Sequence, residues 1–220
     1  GQTTRFVVTL PGPLDIAASL DLLRRTGDDL LDRWDGAYHV RTLRVGERVI
    51  PYACAPGGTL TAPTLAVEVP RAADQAPVEA ALAATFTQAP AEEWAELLRR
   101  DAVVAALDAR YPGLRPVRQF DLFGALVRCI SAQQVNLRWA ATTRRRLAEA
   151  YGERLEVGAH TVYALSAARV ADARVDDLRS LQFTTRKAEY LIGAAQEISS
   201  GALDLATLAA CPSEPYSVTL

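Results

Sequence analysis

Two neighbouring amides, Gln133 and Gln134, stand between two stretches of helical sequence. Before them, apolar residues recur at three- and four-residue spacing over residues 119–132, which predicts an amphipathic helix. After them, Asn136 is a favourable N-cap for a second helix, and Gly152 is a favourable residue to end it. The free backbone amides at a helix N-terminus favour phosphate. Amide side chains beside such a terminus therefore suit a protein that contacts nucleic acid.

Arginine is concentrated around this pair of amides. Residues 110–148 contain eight arginines and a single acid, Asp121, although the whole chain has a formal net charge of -2. Such a local excess of positive charge predicts a localised anionic partner. A solvated helix face in an arginine-rich chain is the alternative, because Lys187 is the only lysine.

Seven residues on two predicted helices are candidates for contact with a nucleic-acid backbone. They are Asn136, Arg138, Arg144, Arg145, Thr185, Arg186 and Lys187. Hydroxyl, amide and cationic side chains near helix N-termini suit phosphate oxygens. For the group around Thr185, a plain N-cap with solvated neighbours is an equally good interpretation.

Other chemistries lack residues at the spacing that they need. His39 lies in a predicted strand and His160 in a predicted loop, and neither has a partner at metal-ligand spacing, so both are interpreted as structural or surface histidines. The three cysteines are scattered and match neither a disulfide framework nor an iron-sulfur pattern. We therefore predict no metal and no cofactor, and we expect a cytoplasmic protein. No apolar run approaches the ~20 residues of a bilayer span.

The elements that position the two amides fall into two predicted domains that meet near residue 90. Residues 1–90 combine strand patterns, a hairpin turn at Gly46-Glu47 and two helical patterns, over residues 15–34 and 77–86. This combination predicts an α+β domain with an antiparallel sheet and two helices. In residues 91–220 helical patterns follow one another and no strand is expected, so this part is predicted to be an all-α bundle.

The residues around the two amides resemble a known family. The runs Phe120–Phe123 and Ile130–Asn136 are similar to the start of the helix-hairpin-helix domain of 3-methyladenine DNA glycosylase II, and Leu181–Leu191 resembles a later helix of that family. The strand Ala37–Leu43, followed by Val45-Gly46-Glu47, resembles a strand of the family's accessory α+β domain. The resemblance covers nearly the whole chain. The fold class that it implies is an α+β domain followed by a helical bundle of the glycosylase type.

This resemblance implies a partner, a reaction and two roles. The partner is double-stranded DNA that contains alkylated bases, and the reaction is base flipping followed by hydrolysis of the N-glycosidic bond in base excision repair. Gln134 matches the side chain that wedges into the duplex, and Gln133 matches a residue at the edge of the base pocket. The alternative is that both amides cap helix ends. Single-site repair does not require an oligomer, so a monomer is expected.

The resemblance also implies that the family's hairpin and catalytic aspartate lie beyond Leu220. No residue of this chain is therefore assigned as catalytic, and the 220-residue chain by itself is expected to be inactive. Two alternatives to a glycosylase stay open. A non-catalytic module would bind duplex DNA in a salt-sensitive way without excision, whereas a structural or protein-interaction domain would not bind DNA even at low salt.

Overall fold

In the computed structural model, which describes residues 3–211, an antiparallel sheet is followed by a helical region. The strands of this first sheet are β1 (Thr4–Thr9), β2 (Arg33–Trp34), β3 (His39–Val45), β4 (Arg48–Gly58) and β5 (Pro63–Val69). They lie in the order β1-β5-β4-β3-β2, and each neighbouring pair is antiparallel. Helices α1 (Ile16–Thr26) and α2 (Gln75–Thr85) accompany the sheet. The predicted α+β arrangement is confirmed.

Alternating apolar residues hold the helices against the first sheet. Leu65, Val67 and Val69 on β5 are buried in one core with Tyr52 of β4 and Leu82 of α2. Because side chains alternate between the two faces of a strand, this spacing places the apolar residues of β5 on a single face.

The first helix is shorter than the predicted 15–34 pattern. It begins after Asp15, whose carboxylate accepts a hydrogen bond from the Ala18 N–H, and it ends at Gly27, where φ is +98°. The next two carboxylates also accept main-chain N–H groups, Asp28 from Leu30 at 3.0 Å and Asp29 from Leu31 at 3.0 Å. Aspartate side chains that bond the backbone in this way favour turns over helix.

The second part of the chain is mainly helical, as predicted. Its helices are α3 (Ala91–Arg100), α4 (Ala102–Arg110), α5 (Leu122–Ala132), α6 (Leu137–Tyr151), α7 (Ala167–Ala171), α8 (Val175–Ser180), α9 (Thr185–Ser199) and α10 (Leu205–Ala210). Phe123, Val127, Leu147, Leu178 and Leu191 pack in one core that joins α5, α6, α8 and α9. Within residues 3–211, no helix is long and apolar enough to cross a membrane.

The expectation of no strand after residue 91 is wrong, because a hairpin interrupts the helices. Strands β6 (Gly152–Val157) and β7 (His160–Leu165) pair in antiparallel register. Val157 and Val162 pack with Val40 and Ala53 of the first sheet. Each strand has only six residues, so its alternation is too short to be a strong local signal.

His160, which was predicted in a loop, begins β7. Its ring lies 4.5 Å from the ring of Tyr38, measured between centroids. Besides its packing on the first sheet, the hairpin is thus also in contact with the segment that precedes β3.

Candidate nucleic-acid interface

The two amides lie on an exposed link between α5 and α6, which we call the α5–α6 junction (residues 133–136). Helix α5 ends at Ala132, and Gln133 has an extended backbone with φ -65° and ψ 128°. Gln134 follows with φ +58°. The carboxamide oxygen of Asn136 accepts the Trp139 N–H at 2.8 Å and caps α6, as predicted. The side chains of Gln133 and Gln134 are exposed, so neither residue is absorbed into the core.

The backbone of Gln134 is in the left-handed region, which non-glycine residues rarely adopt. In the described part of the chain only Leu30 and Gln182 share this feature among non-glycine residues. Such a conformation costs on the order of 1–3 kcal/mol and persists only where the surroundings enforce it. The strained residue coincides with the one predicted to enter the duplex.

Beneath the α5–α6 junction lies a buried ion pair. Arg144 on α6 donates from Nε to the Asp29 carboxylate at 2.8 Å and from Nη1 to the Ser131 hydroxyl at 3.0 Å. These three residues are each at most 2% exposed. Arg128 lies at the edge of the same group, with Nη2 3.5 Å from the Asp29 carboxylate.

This burial contradicts the predicted contact of Arg144 with the DNA backbone. A guanidinium that is enclosed by protein and paired with a carboxylate is not available to a phosphate. Burial lowers the pKa of Arg144, and Asp29 opposes this effect, so the pair keeps the arginine charged inside the fold. Arg144 therefore supports the α5–α6 junction from below.

The start of α9 lies beside the same junction. Thr184 caps α9 by accepting the Lys187 N–H at 3.2 Å, and the Lys187 amine donates to the main-chain carbonyl of Ser131 at 2.9 Å. Partial burial lowers the pKa of this amine. Thr185 and Arg186 remain exposed. The structure thus brings together two segments that are about 50 residues apart in sequence and that were proposed separately as backbone contacts.

Helix α6 presents both cations and apolar surface beyond the junction. Arg138 is exposed, and the guanidinium carbon of Arg146 lies 5.2 Å from the ring centroid of Trp139, which is itself 39% exposed. Arg145 is exposed and forms an ion pair with Glu149 at 3.2 Å. The arginines of residues 110–148 therefore do not form one continuous free patch: Arg138 and Arg145 are exposed on α6, Arg128 and Arg144 pair with Asp29, and Arg110, Arg115 and Arg118 lie on α4 and the connection before α5.

An apolar groove of about 1070 Å³ opens next to the junction. Ala132 and Leu137, which flank the two amides in sequence, line one side of it. Residues of α1 and of the connection before α5 also line it, namely Leu22, Leu23, Tyr111, Leu114 and Val117. The exposed amides are thus next to a cleft that has room for an aromatic ring.

A second buried polar group connects the first sheet to the connection before α5. The Asp32 carboxylate is bonded to His39 Nε2 at 2.7 Å, to Arg41 Nη2 at 3.0 Å and to Gln119 Nε2 at 2.9 Å. Burial opposes ionisation of Asp32, but Arg41 and His39 outweigh it and hold the pKa of this carboxyl well below its usual range. The interpretation of His39 as a structural histidine is confirmed. Asp29, Asp32 and Arg41 were missed because nothing local in the sequence marks a charged residue as buried.

The fold is that of the helix-hairpin-helix DNA glycosylases. The chain superposes on a 3-methyladenine DNA glycosylase from Archaeoglobus fulgidus with a TM-score of 0.75 at 18% identity, over 87% of this chain and 66% of that one. For the 8-oxoguanine glycosylase/lyase of Clostridium acetobutylicum in its apo form the TM-score is 0.67 at 16% identity, over 96% and 70% of the two chains.

The sequence comparisons point to the same class. Residues 127–213 match the family model of the HhH-GPD superfamily base excision DNA repair proteins, and this range includes the α5–α6 junction. A DNA-3-methyladenine glycosylase of Bacillus subtilis (strain 168) is 30% identical over 109 residues, which are 49% of this chain and 36% of that protein. A putative DNA-3-methyladenine glycosylase of the same organism is 32% identical over 106 residues, 48% and 36% of the two chains. The matches span about a third of the length of these curated relatives. These similarities relate the chain to the base excision repair glycosylases.

Proposed function

We propose that the protein is a DNA glycosylase that removes alkylated bases of the 3-methyladenine type during base excision repair. The observation that carries this proposal is the α5–α6 junction, where two exposed amides, one of them on a left-handed backbone, precede the N-terminus of α6, and where Lys187 joins the start of α9 to the end of α5. The names of the curated relatives support the choice of alkylated bases. We propose that the protein acts as a monomer, in the cytoplasm.

The reaction requires that the damaged nucleotide leave the base stack. An enzyme cannot reach the glycosidic bond of a stacked base, so it rotates the nucleotide out and must fill the gap. In our proposal Gln134 enters the duplex, because its amide carries both a donor and an acceptor and can bond whichever base is left without a partner. We assign Gln133 to the edge of the base pocket because its neighbour Ala132 lines the adjacent apolar groove, which would receive the extruded base.

Residues along α6 and at the start of α9 would hold the DNA backbone. The proposed contacts are Asn136, Arg138, Arg145, Thr185, Arg186 and Lys187. The ion pair of Arg145 with Glu149 does not prevent this role, because an exposed pair contributes only about 0–1 kcal/mol and can exchange its partner. Lys187 uses one donor on Ser131, and an ammonium group carries three.

Hydrolysis needs a carboxylate that stabilises the positive charge on the sugar. Asp29 and Asp32 lie in the two buried polar groups and are already paired with Arg144 and with Arg41. We therefore assign the hydrolytic role to neither of them. We propose that the base is excised by the full-length protein, and that the 220-residue chain by itself binds and distorts DNA without excising the base.

The proposal is tested with duplexes that report on base extrusion. The chain is titrated into an intact duplex and into a duplex with a central abasic site. Both duplexes carry 2-aminopurine at the same position, which in the second duplex is next to the abasic site, and both anisotropy and fluorescence are recorded. The fluorescence of 2-aminopurine rises when the base leaves the stack. Wild type should prefer the abasic duplex and raise the fluorescence, whereas Gln134→Ala should weaken both effects without abolishing them and keep its affinity for the intact duplex.

Gln182→Ala is the matched control, because Gln182 is also an exposed glutamine on a left-handed backbone. It should behave as wild type. Salt-sensitive binding without any preference for the abasic duplex would instead indicate a non-catalytic binding module. Lack of binding at low salt would indicate a structural or protein-interaction domain.

A further inference from the structure

We propose that Asp29 is a positioning residue for DNA distortion, acting through Arg144 and Ser131 on the α5–α6 junction. This inference rests on the proposed function, because it concerns how the wedge is held. Asp29 belongs to the turn after α1, 115 residues before Arg144 in sequence. The wedge would therefore be fixed in part by a residue that lies outside the helical region.

The hydrogen bonds that link Asp29 to the end of α5 join three buried residues. One oxygen of the Asp29 carboxylate accepts the main-chain N–H groups of Leu31 and Asp32, at 3.0 and 3.2 Å, which fixes the carboxylate to its own turn. The other oxygen accepts Arg144 Nε at 2.8 Å. Arg144 in turn donates to the Ser131 hydroxyl at 3.0 Å. Ser131 lies two residues before Gln133, in the last turn of α5.

Ser131 is held from two sides. Its hydroxyl accepts from Arg144 and donates to the Arg128 carbonyl at 3.1 Å, while its own carbonyl accepts from Lys187 at 2.9 Å. These bonds fix the end of α5 at the point where the chain must turn into the strained conformation of Gln134. A strained residue keeps its conformation only when its surroundings are rigid enough to enforce it.

Stability alone does not account for this ion pair. Taking two charges out of water costs several kcal/mol per ion, and apolar side chains of similar volume are often as stable or more so. What apolar residues cannot supply is direction, because a planar guanidinium donates along fixed lines to two acceptors at once. The pair therefore fixes the position and direction of the chain that leads into the junction, and a side chain that enters the duplex requires such fixed placement.

The test separates the position of the wedge from the affinity for the backbone. Asp29→Asn is compared with Asp28→Asn, its neighbour on the same turn, which is bonded to Arg33 through Nη2 at 2.7 Å near the surface. In the 2-aminopurine assay, Asp29→Asn should lower the fluorescence response of the abasic duplex by about tenfold, since small displacements of a positioned group have effects of this size or larger. Affinity for the intact duplex should change by less than about twofold, and Asp28→Asn should match wild type.

Two further variants keep the test decisive. Ser131→Ala leaves both buried charges in place and should also reduce the fluorescence response of the abasic duplex. If urea unfolding shows that Asp29→Asn does not fold, Ser131→Ala alone tests the positioning role. In a Gln134→Ala background, Asp29→Asn should cause no additional loss, because it acts through the residue that is already absent.

The possible outcomes are distinct. Additive losses in the double variant, or a wild-type response from folded Asp29→Asn and Ser131→Ala, would overturn the positioning role while leaving the proposed function intact. Absence of any response from the wild-type chain would remove the proposed function, and the positioning role with it.

Discussion

The side-chain amine of Lys187 donates to the main-chain carbonyl of Ser131 at 2.9 Å, which joins the first turn of α9 to the last turn of α5. Carbonyls at the end of a helix have no partner within the helix, and a cation placed there is favourable. Because Thr185 and Arg186 directly precede Lys187, this bond places these two exposed residues close to the α5–α6 junction. A DNA duplex that meets the two amides would also meet the start of α9.

Loss of a proposed backbone contact should change the salt dependence of DNA binding. Arg138→Ala and Arg186→Ala should each weaken binding to intact duplex and reduce the slope of log affinity against log salt by about one. Arg5→Ala is the control, because Arg5 lies on β1 with its side chain 77% exposed and paired with Glu68. Anisotropy titrations at several salt concentrations measure the slopes, and an unchanged slope in both test variants would exclude these residues as phosphate contacts.

Removal of the strain at Gln134 should raise stability. Gln134→Gly should increase the free energy of unfolding by up to about 1 kcal/mol, because glycine adopts positive φ without a steric penalty. Gln133→Gly is the matched control, since Gln133 has φ -65° and there glycine only adds freedom to the unfolded chain. Urea unfolding compares the two variants, which should shift in opposite directions. A clear loss of stability in Gln134→Gly would show that the glutamine side chain stabilises the native state.

Acid should destabilise the protein through His39 and Asp32. Burial lowers the pKa of His39 and Asp32 opposes this effect, so below its ordinary value of 6.5 the unfolded chain takes up a proton that the folded one does not. Stability is therefore complete above about pH 6.5 and falls as the pH drops, by up to about 1.4 kcal/mol per pH unit. Asp32, whose pKa is also lowered, adds a further loss below about pH 4.

The variant His39→Gln tests this origin of the pH dependence. An amide keeps a donor for Asp32 but does not titrate, so urea unfolding should give a flatter profile between about pH 6.5 and 5. A profile that remains as steep as that of wild type would assign the effect to other groups.

The hairpin should contribute to stability through its contact with the first sheet. Val162 is fully buried against Val40 and Ala53, so Val162→Ala should lower the free energy of unfolding by roughly 1–3 kcal/mol. Val7→Ala is the control, because Val7 on β1 is 66% exposed and should cost little beyond β-propensity. Equal, small effects of both substitutions in urea unfolding would mean that the hairpin is not part of the stable core.

The sequence predicts most accurately where local chemistry sets an element's limits. Helix α6 was expected over residues 137–151 and is found as Leu137–Tyr151, because an N-cap at Asn136 and a glycine at 152 bound a strong apolar repeat. The α5–α6 junction was identified for the same reason.

Long-range pairing explains what was missed. In its local sequence Arg144 cannot be distinguished from a surface arginine. Only its ion pair with Asp29, 115 residues away in sequence, makes its burial favourable. The strands β6 and β7 likewise depend on Val40 and Ala53 in a distant sheet. Local spacing carries no information on such partners.

The hairpin has a consequence for any attempt to work with fragments. It lies within the helical part of the sequence, yet Val157 and Val162 pack against the first sheet. A fragment that starts near residue 91 would expose this apolar surface on an isolated two-stranded ribbon, which is marginally stable in water and prone to self-association. It would also leave the guanidinium of Arg144 buried without Asp29. Poor solubility of the isolated helical fragment is the practical sign of this interlocking.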